Sequence, residues 1–282
     1  MKQVSSIREG EVLGGILMTN TKRKLKKRKK VLLELDRLDE LASKLLFIHY
    51  SCESFYDLRE SGRSARITSI AVRYFETGQS VSFSIHTTAE KEGKLNSIES
   101  HYDELESIML EDFFEFVNRH ENYYWIHWNM RDIGYGFQAI NHRLRVLGGE
   151  PKIIADDKKF DLADKLKIIF GDNYIEHRRF ENLIIKNAIS DKDFLKGEEE
   201  AAAFENGEYI KLHHSTLRKV NVMHDIFDKV LDKNLKTNSK KKDIYGLSAQ
   251  GLYEMANGHW LFNLILLFLG GIISWLITEF LK

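Results

Sequence analysis

Cysteine and proline are almost absent: the 282 residues contain only Cys52 and Pro151 of these types. A lone thiol excludes a disulfide framework and a cysteine-based zinc site within one chain. One proline argues against Pro-rich linkers and for long regular elements. Excess charge is absent too. Lys+Arg and Asp+Glu each number 42, a formal net charge of +0, so no global field selects nucleic acid or membrane and local runs must carry that argument. No Walker loop, G-x-S-x-G elbow or H-E-x-x-H pair occurs, which disfavours a P-loop NTPase, an α/β-hydrolase and a zincin. Residues 1–21 lack a basic start followed by an apolar core, so no signal peptide is expected.

What is present is enough apolar residue, 43%, for a packed core, and a length that suits one sizeable domain with appendages or two small ones. The run WLFNLILLFLGGIISWLIT, 260–278, has no charged residue. Its length, roughly 28 Å as a helix, predicts a transmembrane helix over 259–281. Lys233, Lys236, Lys240, Lys241 and Lys242 precede it and only Lys282 follows, which predicts a cytoplasmic N-terminal part on a single-pass tail anchor in the lipid bilayer. Gly270 and Ser274, four apart, offer a small-residue face for a homodimer.

KRKLKKRKK, 22–30, opens an amphipathic helical pattern within a basic N-terminal segment, 1–43. It reads as contact with anionic lipid, as a solvated helix start or, less favoured, as contact with nucleic acid. KLLFIHYS, ARITSIAVRYF and the alternating SVSFSIHTT predict three strands, with Gly78 turning the second into the third. An amphipathic helix over 102–121, a fourth strand YYWIHW and a helix ending at Gly148–Gly149 follow. From 158 the pattern is helical. The expected fold is α/β, a mixed sheet with helices on its faces and a helical C-terminal half. The expected domain is 44–235, and 236–258 reads as a linker.

This strand order resembles the ribonuclease H-like fold, and in particular the 3′–5′ exonucleases with three acidic motifs. FIHYSCESF places Ser51-Cys52-Glu53 where that family has Asp-x-Glu, and HWNMRD gives His127 and Asp132 at the family's separation, with Asn129 one place displaced. The resemblance covers about 44–150. It implies Glu53, Asp132 and His127 as catalytic residues, with Glu53 and Asp132 holding Mg²⁺ or Mn²⁺. Two such metals about 4 Å apart clamp the attacking and leaving oxygens. The last motif falls near LHHSTLRKV, where the position expected to be Asp, counted from His214, is Lys219. Two of four metal ligands are therefore missing.

His49, Ser51, Asn129, His214, Ser215, Arg218 and Lys219 are the candidate ligand-binding residues. STLRK reads either as a helix start holding a phosphate or as an N-cap. Glu198, Glu199 and Glu200 read as acids favoured in a helix's first turn. Three functions stay open. The first is a membrane-tethered sensor or effector whose degenerate exonuclease-like domain binds nucleic acid or a nucleotide. The second is an active metal-dependent nuclease. In the third, the polar residues only satisfy strand ends.

Overall fold

The computed structural model describes the backbone of residues 2–53, 64–246, 249–257 and 260–281, and side chains within these except for 2–20, 249, 257 and 260–263. The elements are α1 (Lys2–Glu40), β1 (Leu45–Cys52), β2 (Ile67–Tyr74), β3 (Ser80–Ser84), α2 (Ile85–Lys91), α3 (Tyr102–Arg119), β4 (Tyr124–His127) and α4 (Phe137–Val146). After them come β5 (Lys159–Asp161), α5 (Leu162–Phe170), α6 (Arg179–Lys186), α7 (Gly197–Glu205), α8 (Tyr209–Leu231), α9 (Lys241–Tyr245), α10 (Ala249–Asn257) and α11 (Trp260–Phe280).

The chain forms two compact units. One gathers 1–33, 167–175 and 238–282, and the other 34–166 and 176–237. The sequence-based division at 43, 235 and 258 is linear, whereas the first unit draws on three separate segments.

The second unit is a five-stranded mixed sheet in the order β3-β2-β1-β4-β5. β1 to β3 are antiparallel neighbours, and β4 and β5 run parallel to β1 and to each other. Period two in β1 sorts its side chains. Leu46, Ile48 and Tyr50 join Phe113, Phe116, Trp125, Ile140 and Leu144 in the core under α3 and α4. Phe47, His49 and Ser51 take the other face, where Phe47 meets Phe227 of α8 at 5.5 Å. The turn expected at Gly78 is present: its φ is +68°, and its N–H donates to the Tyr74 carbonyl over 3.1 Å.

Inside this unit α3 and α4 are joined by a buried ion pair. Glu106, fully buried, accepts from Arg143 Nε over 2.9 Å and from the Ile67 N–H over 2.6 Å. Burial alone would lower the Arg143 pKa, but Glu106 and Asp103 more than offset it, and the guanidinium is held charged.

Three sequence-based expectations change. SVSFSIHTT is strand only to Ser84, because Ile85 and Ala89, four apart, turn α2 onto an apolar cluster with Tyr102 and Leu105. KFDLADKLKIIF is split between β5 and α5. The segment 236–258, expected to be a linker, contains α9 and α10.

The apolar C-terminal run is helical, but no helix among the described residues is long and apolar enough to cross a membrane. The side chains of its first residues, Trp260 and Asn263 included, lie outside the described residues. The part of the helix whose side chains are described, Leu264 to Phe280, includes the charged Glu279. The transmembrane helix, the tail anchor, the bilayer as partner and the single-pass localisation are corrected accordingly. The dimer face at Gly270 and Ser274 loses the setting on which it depended.

Candidate functional site

β1 ends at a polar pocket because its outward residues change from Phe47 to His49 and Ser51 while α8 continues alongside. Each turn of α8 then presents a polar partner. The Ser51 hydroxyl lies 2.8 Å from Thr216 Oγ1, which is 2.7 Å from Ser69 Oγ on β2. One turn further along α8 is Lys219, only 6% exposed. Its ammonium is 2.6 Å from Glu200 Oε1. The same carboxylate oxygen accepts from Ser51 over 3.0 Å and from Ser215 over 3.1 Å. Burying an ammonium is costly unless it is paired and hydrogen-bonded, and Glu200 supplies that partner from α7.

A cavity of about 420 Å³ opens over this network, lined by His49, Ser51, Glu53, Tyr135, Arg178, Glu200 and Lys219 among others. The Gly-Tyr-Gly turn supplies its aromatic wall. Gly136 has φ +149°, and a Cβ there would sit 2.5 Å from the Met130 carbonyl oxygen, so only glycine fits. Its N–H donates to Tyr50 Oη over 2.9 Å. The turn stacks Tyr135 on Tyr50 with centroids 4.6 Å apart and sets its hydroxyl 3.4 Å from His49 Nδ1. Burial, and then the charge of Lys219, push the His49 pKa well down, so the imidazole is neutral. Burial raises the Cys52 thiol far above its ordinary value, with Glu200 adding to it, which disfavours the thiolate. Arg178, at the mouth, donates to Glu198 over 3.2 Å.

Of the candidate catalytic and ligand-binding residues, Glu53, His49, Ser51 and Lys219 meet at this cavity. Ser215 lies beneath it. His127, Asn129 and Asp132 belong to a different cluster, at the ends of β4 and β5. His127 Nδ1 accepts the Met130 N–H over 3.1 Å, closing a turn, and burial followed by Arg131 and Lys159 pushes its pKa down to about 3, so the imidazole is neutral and a weak base near neutrality. Asn129 is left-handed, φ +54°, and its N–H donates to Asp161 Oδ1 over 3.2 Å. Asp132 is exposed and accepts the Gly134 N–H over 2.8 Å in a surface turn. His214 is exposed on a second cavity, about 530 Å³, that His86 and Tyr209 also line. Arg218 Nε donates to the Lys192 carbonyl over 2.7 Å. Ser215 to Lys219 lie inside α8, so they form neither a helix start nor an N-cap.

The candidate site residues read from the sequence did not include Glu200, Thr216, Tyr135 or Arg178. Glu200 stood in plain view within GEEE, but only the fold brings it to Ser51, 149 residues away.

The residues present do not fit a two-metal centre. Glu53 accepts the Arg66 N–H over 3.3 Å, Glu200 is neutralised by Lys219, and Asp132 lies in the other cluster. Among the described residues no group of three or more His, Cys, Asp or Glu is gathered to hold a metal ion. Comparison with family models, curated proteins and solved structures found no match.

Proposed function

We propose that the second unit is a binding module of ribonuclease H-like type, which takes a nucleotide or the end of a nucleic acid in the cavity beside β1 and acts as a sensor or effector. The strand order, with three antiparallel strands followed by two parallel ones, supports the reading, as does a cavity at the carboxyl end of a central strand. The observation that carries it is the buried Lys219–Glu200 pair. In the exonucleases that the chain resembles, this place holds carboxylates and metal ions. Here a fixed ammonium stands in that region, so binding is favoured over hydrolysis. Tyr135 offers a face on which a base can stack, and Arg178 a planar fork for phosphate.

The test is calorimetric titration of the full chain with mononucleotides and short oligonucleotides, in EDTA and in Mn²⁺, beside Lys219→Met. Metal-independent binding that weakens at least tenfold in the variant is expected. Metal-dependent cleavage, or no binding to any nucleotide, would overturn the reading.

A further inference from the structure

The chain's zero net charge conceals a division. The first unit, 1–33 with 167–175 and 238–282, holds fifteen Lys and Arg against six Asp and Glu, a formal +9. The second unit therefore carries the balancing −9. A phosphate backbone approaching the second unit meets net repulsion, so affinity for a polyanion must come from elsewhere.

We infer that the lysine face of α1 in the first unit is a docking surface for the phosphate backbone of nucleic acid. This goes beyond the cavity, and it rests on the function proposed above only in choosing nucleic acid over other polyanions. Leu25 and Val31 are buried, and Arg28 between them donates from Nε to the Ile169 carbonyl over 3.0 Å. That places the inward side of α1. Lys22, Lys26, Lys29 and Lys30, at helical spacing i, i+4, i+7 and i+8, fall on the opposite side and are exposed. None of the four is in an ion pair with a described residue. Together they span about 12 Å of helix, a length over which one strand of a duplex carries three or four phosphates at about 3.4 Å of duplex axis each.

The fold adds a second source of charge. Arg28 lies over the Tyr245 ring at 5.0 Å, and a Cβ on Gly246 would meet Thr21 at 3.3 Å, so α9 lies against α1. Exposed Lys240, Lys241 and Lys242 thereby join the same unit's surface. Two of the unit's acids are already engaged: Asp243 caps the Lys240 N–H over 2.9 Å, and Asp172 lies 3.5 Å from Lys167. A helix that lies in a lipid interface needs an apolar stripe beside its basic one. On α1 the apolar side is turned inward, and among its described residues Leu33, 59% exposed, is the one large apolar side chain left outside.

The experiment is fluorescence anisotropy of the full chain with a labelled 20-base-pair duplex and a labelled single strand, over a salt series. The comparison is a variant with Lys22, Lys26, Lys29 and Lys30 all changed to Gln, with circular dichroism to check that it folds. For the wild type, log K against log salt should fall with a slope of about −4, and the variant should lose about 3 of that slope and at least tenfold in affinity near 0.1 M salt. An unchanged slope and affinity overturns the inference. So does lysine-dependent binding to phosphatidylserine vesicles without binding to either nucleic acid. If mononucleotides fail to bind the cavity while the lysine-dependent slope remains, the function proposed above falls and this inference stands. If the cavity binds nucleotides and the slope ignores the lysines, the reverse holds.

Discussion

The first unit is helical, with a formal +9, while the second wraps a mixed sheet and carries −9. They are also held together differently. The second has a large aromatic core around Phe113, Phe116 and Trp125, and it can bury a carboxylate and two cations, Lys219 and Arg143, because each finds a partner. Among the described residues the first has fewer buried apolar side chains, Leu25, Val31, Ile169 and Tyr174 among them. It relies on single polar ties such as Arg28 to Ile169 and Ser239 Oγ to the Phe170 carbonyl at 2.6 Å. Charge buried in a core has to be locally balanced, whereas charge spread over a helix surface stays in water and is available to a partner.

The contrast should be plainest when one buried partner is removed. Glu106→Ala leaves Arg143 buried without its main counterion, and such a loss costs about 3–5 kcal/mol. Urea unfolding of the full chain should show the second unit destabilised by that order. Arg28→Ala, on the partly exposed tie of the first unit, should cost about 1 kcal/mol or less. Similar losses at the two positions would remove the distinction drawn between the units.

A smaller effect is expected at Lys219. Lys219→Met leaves Glu200 without its cation and should cost about 1–3 kcal/mol, while Lys219→Met with Glu200→Gln should recover most of it, because both charges are then gone. Strict additivity of the two single variants in a double-mutant cycle would show that the pair is not coupled.

Acid should also separate the units. His127 is held down to about 3 and His213 to about 4, in both cases first by burial, with His86 and His214 adding to the effect at His213. In the unfolded chain imidazoles take up a proton near 6.5. Between about pH 6.5 and 4 the unfolded state therefore binds more protons, and stability that is full above 6.5 is lost as the pH falls. Of the 11 histidines only His259 belongs to the first unit. Thermal melts from pH 7.5 to 4.5 should show the second unit's transition falling, with a shallower fall in His213→Gln. A transition that does not move across this range would mean that these imidazoles protonate in the folded state.

How much of this could be read from sequence depended on range. β1 and β2 were legible because two-sided burial leaves long apolar runs, and Gly78 marked the hairpin. β5 was not, since three residues, Lys159 to Asp161, have no period before α5 begins. The alternation of SVSFS continues formally into IHTT, but the packing of Ile85 and Ala89 decided for a helix. At the cavity, His49, Ser51, Glu53 and Lys219 were visible as positions. The meaning of Lys219 was not, because its partner lies in a run of acids that a helix start already explains. The C-terminal run was misjudged by composition alone.

The smallest effect is expected where the sequence pointed most strongly. Asp132 matched a metal-binding carboxylate by spacing, yet its side chain accepts one backbone N–H in an exposed turn. Asn keeps that acceptor, so Asp132→Asn should change stability by no more than about 0.5 kcal/mol. It should also leave nucleotide binding in the cavity unchanged, since Asp132 does not line it. Calorimetric titration of this variant beside Lys219→Met sets the two clusters against each other. A tenfold loss at Asp132 with none at Lys219 would move the site from β1 and α8 to the ends of β4 and β5.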